Sequence, residues 1–179
     1  MKGILRYMKN ILLPSLVVAG VSLLPLYGKT PASTNKDAAF LRLAAQADMT
    51  TAHLGQLAED RAIRDEIKNL AKTLVADHTS DYRQLTVLSM QTGDAIPTAI
   101  DKANNREIES IERYKGKMFD REFVLNQTAE HEKLFKAFHY EADHGTNPDI
   151  KAYASKALPA IERHLHDVEN LRKLLAAKS

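Results

Sequence analysis

From residue 36 onward the apolar positions recur at helical spacing, and no stretch alternates with the period of a strand. A first segment runs from about Asp37 to Asp60, with Phe40, Leu43, Ala47, Leu54 and Ala58 on one stripe and Thr51 among them. A second runs from about Arg64 to Thr92, its stripe made of Ile67, Leu70, Leu74, His78, Leu85 and Leu88. The junction AEDRAIRDE contains neither Gly nor Pro. A break is still expected there, because one helix of more than roughly 50 residues would be unusual in a domain of this size. Gly93-Asp94 and Pro97 end the second segment. A shorter amphipathic piece follows over about Asp101 to Tyr114, with Ile108 and Ile111 on one side and Gly116 as its stop. A third long segment, about Phe119 to Asp143, turns Phe119, Phe123, Leu134 and Phe138 inward and stops at Gly145. Asn147 can cap the next helix, Pro148 suits its first position, and Asp149 complements its dipole. That last helix reaches about Ala176, and Pro159 inside it is expected to kink or split it.

Two helical hairpins joined by a long crossover predict an all-α, ferritin-like up-down four-helix bundle, with a short crossover helix between the second and third long helices. The bundle is expected over residues 37–177, after a linker at 33–36 and an N-terminal segment at 1–32. That segment has the pattern of a signal peptide: Lys2, Arg6 and Lys9, then an apolar run from Ile11 to about Leu26. Thr30-Pro31-Ala32 offers small residues for cleavage, and an uncleaved membrane anchor is the alternative. A periplasmic location is expected, with any membrane contact confined to the N-terminal segment.

Charge changes the picture once that segment is set aside. The chain of 179 residues carries 25 basic and 23 acidic residues, a formal charge of +2. Lys2, Arg6, Lys9 and Lys29 are the only charges before Lys36, so the remainder has 25 − 4 = 21 basic against 23 acidic residues, a net −2. A weakly acidic domain argues against nucleic acid as a partner. An envelope protein or a second copy of the chain is the partner class expected instead. The absence of Cys excludes thiol catalysis, disulfides and lipid attachment through a cysteine.

The chemistry worth following lies on the inward faces. At 100° per residue, His78 falls near the centre of the second helix's stripe, and Asp81 lies on its edge. Gln127, Glu130 and His131 fall on the stripe of the third long helix, and His164 lies close to that of the fourth. Each histidine is near the middle of its helix. Midpoints stay level in parallel and antiparallel neighbours alike, so the three imidazoles should share one layer, with Thr51 as the fourth wall. Such a layer would suit one divalent transition metal ion, with Glu130 or Asp81 completing the set of His78, His131 and His164. The competing expectation is a hydrogen-bonded polar layer, with a small organic ligand as a third. A di-iron carboxylate centre is not expected, because the residues three before these histidines are Val75, Thr128 and Ile161 rather than Glu. No phosphate-binding Gly loop and no nucleophile–His arrangement emerges, and nothing identifies an enzyme. His53, His139 and His166 point off their stripes, and His144 sits at a helix end.

FLRLAAQADM, HLGQLAED, LVADHTSDYRQL, FDREFV, TAEHEKLFKAF and AYASKALPAIERHL occur in that order. With the pairs Asp77-His78, Phe119-Asp120, His131-Glu132 and Leu158-Pro159, they make the chain resemble bacterial exported proteins of the domain of unknown function 4142 family over about residues 37–176. The resemblance implies a four-helix fold, an envelope location and no known activity, and it matches His78, His131 and His164 to recurring positions. It also implies a departure: where such proteins usually carry Glu on the first helix, this chain has Thr51 and His53.

Overall fold

A computed structural model describes residues 32–177. The expected N-terminal leader at 1–32 therefore lies almost wholly outside the described residues. Within them the chain forms α1 (Asn35–Arg61), α2 (Asp65–Thr92), α3 (Lys102–Glu112), α4 (Lys117–His144) and α5 (Pro148–Ala177). The fold is all-α, and no strand occurs among the described residues. No described helix is long and apolar enough to cross a membrane.

Contacts between the ends of the helices set their directions. The amide of Thr146, between α4 and α5, donates to the Asp37 carboxylate at the start of α1 (2.9 Å). Ser33, before α1, bonds Asp94, just after α2. At the opposite end the Ile63 amide donates to Asp120 near the start of α4 (3.0 Å). On α5, Lys156 meets Gln84 and His164 meets Asp77, so α2 and α5 run antiparallel. The order is up, down, down, up, with α3 in the crossover that carries the chain back along the bundle. α3 lies against α1 and α4. Gln46 of α1 fastens the start of the crossover through the Asp101 amide (2.9 Å), and Arg61 fastens its end through the Glu112 carbonyl (2.9 Å). The α2–α5 side faces away from this covering.

The break between α1 and α2 has a tertiary cause. Ala62 and Arg64 adopt extended backbone, and α2 has no side-chain cap of its own. The Asp120 carboxylate takes the Ile63 amide and so satisfies a donor that the broken helix leaves open. At the other end, Thr34 and Asp37 form a reciprocal capping box. Burial works against ionisation of Asp37, but hydrogen bonds from Thr146 and Thr34 hold its carboxyl well below the usual range.

Of the two outcomes expected at Pro159, a split does not occur: α5 is continuous from Pro148 to Ala177. Both Pro159 and Ser155, whose carbonyl loses its donor, are exposed, so water can satisfy that carbonyl. On α1 the core face is rotated from the expected stripe. Leu41, Ala44, Ala45 and Asp48 are buried, whereas Leu43 and Ala47 are only partly so. Gly55 lets α1 lie close to α2: a Cβ added there would lie 2.7 Å from a Val75 methyl.

The apolar core is in two pieces. One, around Leu54, Ile67, Leu74, Phe119, Phe123 and Val168, fills the end near the α1–α2 turn. The other, around Phe40, Leu41, Leu85, Leu134, Phe138, Ile150 and Ile161, fills the end near the α4–α5 turn. Between them lies a buried polar layer.

Candidate metal centre

Three helices supply that layer. His78 of α2, His131 of α4 and His164 of α5 are 3%, 0% and 1% exposed. Their ring centroids are 5.5, 5.5 and 5.3 Å apart. One nitrogen from each ring belongs to a set of atoms all within 4.8 Å of one another.

The other nitrogen of each ring is tied outward. His78 Nδ1 is 2.8 Å from Asp48 Oδ1. His131 Nδ1 is 2.8 Å from the Gln127 carbonyl, one turn back on its own helix. His164 Nε2 is 2.8 Å from Asp77 Oδ2. This leaves His78 Nε2, His131 Nε2 and the partnerless, buried His164 Nδ1 to face the centre. The pattern is that of metal-ligating histidines, whose second nitrogen is held by a carboxylate or a carbonyl.

The tautomers sharpen the point. A carbonyl can only accept, so His131 carries its proton on Nδ1 and presents a bare lone pair at Nε2. His78 Nε2 lies 3.4 Å from His131 Nε2. If His78 also gives its proton to Asp48, two lone pairs face each other in a dry interior, and a cation between them removes the repulsion. The His78–His131 separation suits two ligands of one ion, since nitrogens at Zn–N distances of about 2.05 Å and a tetrahedral angle are about 3.35 Å apart, and the nitrogen of His164, in a set spanning 4.8 Å, has to draw in to join them. Burial pushes all three imidazoles toward the neutral, ligating form. His78 falls to about 4 and His131 to about 3, and His164 is lowered as well.

Asp48 is the residue that sequence periodicity missed. It is 4% exposed, and burial pushes its carboxyl well above the usual range. Its second oxygen has no partner. The signal was available, since Asp48 follows Leu41 by seven residues and Ala44 by four. Thr51 is buried, as expected, but the α1 side chain that reaches the histidines is Asp48. The inward carboxylate whose loss the family comparison implied at Thr51 is thus supplied one turn earlier. Asp77 was visible only as a neighbour of His78, and its contact to α5 depends on how the helices pack.

The two carboxylates expected in the layer stand elsewhere. Glu130 is half-buried, pairs with Lys133 (3.4 Å) and lines a surface groove with Arg42, Gln46 and Asp101. Asp81 accepts from Gln84 (3.0 Å) at the α2–α5 side. Burial and the nearby Asp48 carboxylate push it up to about 6. It is close enough for His78 to sense its charge, but it is not in the converging set. Gln127 is fully buried and acts through its backbone carbonyl, while its side-chain amide donates to Asn126 (2.9 Å). The remaining histidines, His53, His139, His144 and His166, are all exposed.

Fold and site together define a class: helical bundles whose core is cut by a buried three-histidine layer with carboxylates behind it. The chain belongs to the family described as Domain of unknown function (DUF4142), whose model matches residues 26–171. Comparison with curated proteins gives no match. Among solved structures it is similar to a DUF305 fragment from Deinococcus radiodurans, with TM-score 0.69 and 14% identity over 80% of this chain and 99% of that one. It is also similar to CopM in the Cu(II)-bound form, with TM-score 0.61 and 13% identity over 76% of this chain and 95% of the other. At such identities the likeness is one of fold.

Proposed function

We propose that this protein binds one divalent transition metal ion between His78, His131 and His164, in a storage, sensing or stress-protective role in the bacterial envelope rather than in catalytic turnover. The observation that carries the proposal is the cage itself: three inward nitrogens within 4.8 Å, two of them 3.4 Å apart, each imidazole held from behind. Imidazole donors without thiolate suit Zn, Cu, Ni and Fe. The carboxylates of Asp48 and Asp77 can balance a charge of +2 in an interior where an unbalanced ion would be costly. Copper is the first ion to try, because a structure of the same fold is described as Cu(II)-bound. The basic and apolar N-terminal segment supports an envelope location.

The test is metal analysis and thermal melting of protein purified without a histidine tag. One equivalent of metal is expected. At free ion 100-fold above the dissociation constant, stabilisation should be about 2.7 kcal/mol, a rise of roughly 10 °C in Tm. His78→Ala should abolish the rise. A wild-type melt indifferent to Cu2+, Zn2+, Ni2+ and Co2+ would remove the proposal.

A structural role has one observation in its favour: Asp48, Gln127 and Asp77 would hold the rings and fix helix register without any ion. Under it, the protein serves through its surface, binding an envelope partner or itself. Replacing the layer then lowers Tm and leaves partner capture intact.

A further inference from the structure

A cage this deep needs a way in. The three anchors behind the rings are not equivalent. The Asp48 side chain is 6% exposed and Gln127 is fully buried, whereas the Asp77 side chain is 34% exposed. Of the outward nitrogens, only that of His164 meets a group in contact with solvent. One imidazole ring separates the Asp77 carboxylate from the cage.

The surroundings favour the same side. α3 packs on α1 and α4 and has no packing of that extent on α2 or α5, although the turn before it reaches α2, where Tyr82 donates to the Pro97 carbonyl (2.8 Å). Asp77 and Asp81 sit four residues apart on the seam side of α2. From α5, Arg163 and Lys156 face them. Arg163 Nη2 is 2.9 Å from Asp77 Oδ2, the oxygen that also holds His164 Nε2 at 2.8 Å. Lys156 reaches Gln84 (3.4 Å), which in turn bonds Asp81. Arg163 is 54% exposed, so its guanidinium can leave at little cost. It is a cation resting on the carboxylate nearest the cage.

Taking the histidine layer as a metal site, we infer that divalent ions reach it through the α2–α5 seam at Asp77, with Arg163 as a displaceable plug. An arriving ion replaces the guanidinium on the Asp77 carboxylate. The His164 ring then turns from carboxylate to ion and draws it inward. Asp77 both collects the ion and reseats the ring behind it, and Arg163 sets the rate without setting the affinity.

Stopped-flow uptake of Co2+ by the full chain, followed by the visible absorption of the nitrogen-bound ion, tests this. Arg163→Ala should load several-fold faster at unchanged stoichiometry, since a like charge leaves the mouth of the route. Asp77→Asn should load about tenfold slower or worse and bind more weakly. Lys133→Ala, on the α4 surface away from the seam, should load at the wild-type rate. Equal rates for Arg163→Ala and wild type, or equal acceleration by Lys133→Ala, overturn the route while leaving the cage standing. No Co2+ uptake by wild type overturns the cage and the route together.

Discussion

Asp48→Asn separates a carboxylate kept for a metal from one kept for folding. In the metal-free protein the Asp48 carboxyl is buried, bonded through one oxygen to His78 and through the other to nothing. Asn keeps an acceptor for His78 and removes the charge. An unsatisfied buried polar group costs about 1–3 kcal/mol, and more when charged. The metal-free variant should therefore be more stable than wild type at pH 8, by about 1–2 kcal/mol, or several degrees in Tm. The sign follows from the raised carboxyl. A group whose folded pKa lies above its unfolded value stabilises at low pH and loses that contribution as pH rises, so the gain should shrink toward pH 5. With metal the order reverses. Losing the carboxylate behind a ligating histidine costs roughly 10–100-fold in affinity, or about 1.4–2.7 kcal/mol. Melting curves of both proteins with chelator and with Cu2+ or Zn2+, from pH 5 to 8, measure all four quantities. A variant that is less stable than wild type without metal at pH 8, and equally stabilised by metal, would show that Asp48 serves packing alone.

Three further outcomes follow from the same structure. Burial and the adjoining Asp37 carboxylate push Glu141 up to about 7 from 4.5, so folding stability should fall as pH climbs across that window, by on the order of 2–3 kcal/mol. Glu141→Gln, neutral at every pH, should flatten this part of the urea-midpoint profile, and an unchanged slope would refute the assignment. Gly55→Ala should destabilise by about 1–2 kcal/mol through its clash with the Val75 methyl, and a Val75→Ala background should recover only part of that loss, because the Ala71 carbonyl would still lie 3.2 Å from the new Cβ. Phe123→Ala, in the half-core near the α1–α2 turn, should cost about 3–5 kcal/mol in denaturant unfolding while leaving metal stoichiometry at one.

Periodicity and stop signals along the chain were enough to determine the five helices of the described residues, their stops to within a few residues, and the meeting of His78, His131 and His164 in one layer. These are local properties. A side chain's angle follows from its place in the helical repeat, and its depth follows from its distance to the helix ends. What only the tertiary structure decided is which carboxylates stand behind the rings. That depends on how each helix is rotated against its neighbours. The rotation comes from packing: Gly55 lets α1 approach α2, Asp48 turns inward on the face of the buried Ala44 and Ala45, and the antiparallel α2–α5 contact brings Asp77 to His164. Glu130, on the inner stripe by angle alone, ends at the α1–α4 groove beside Lys133, because one residue more or less of rotation moves a side chain by 100° and exchanges core for surface.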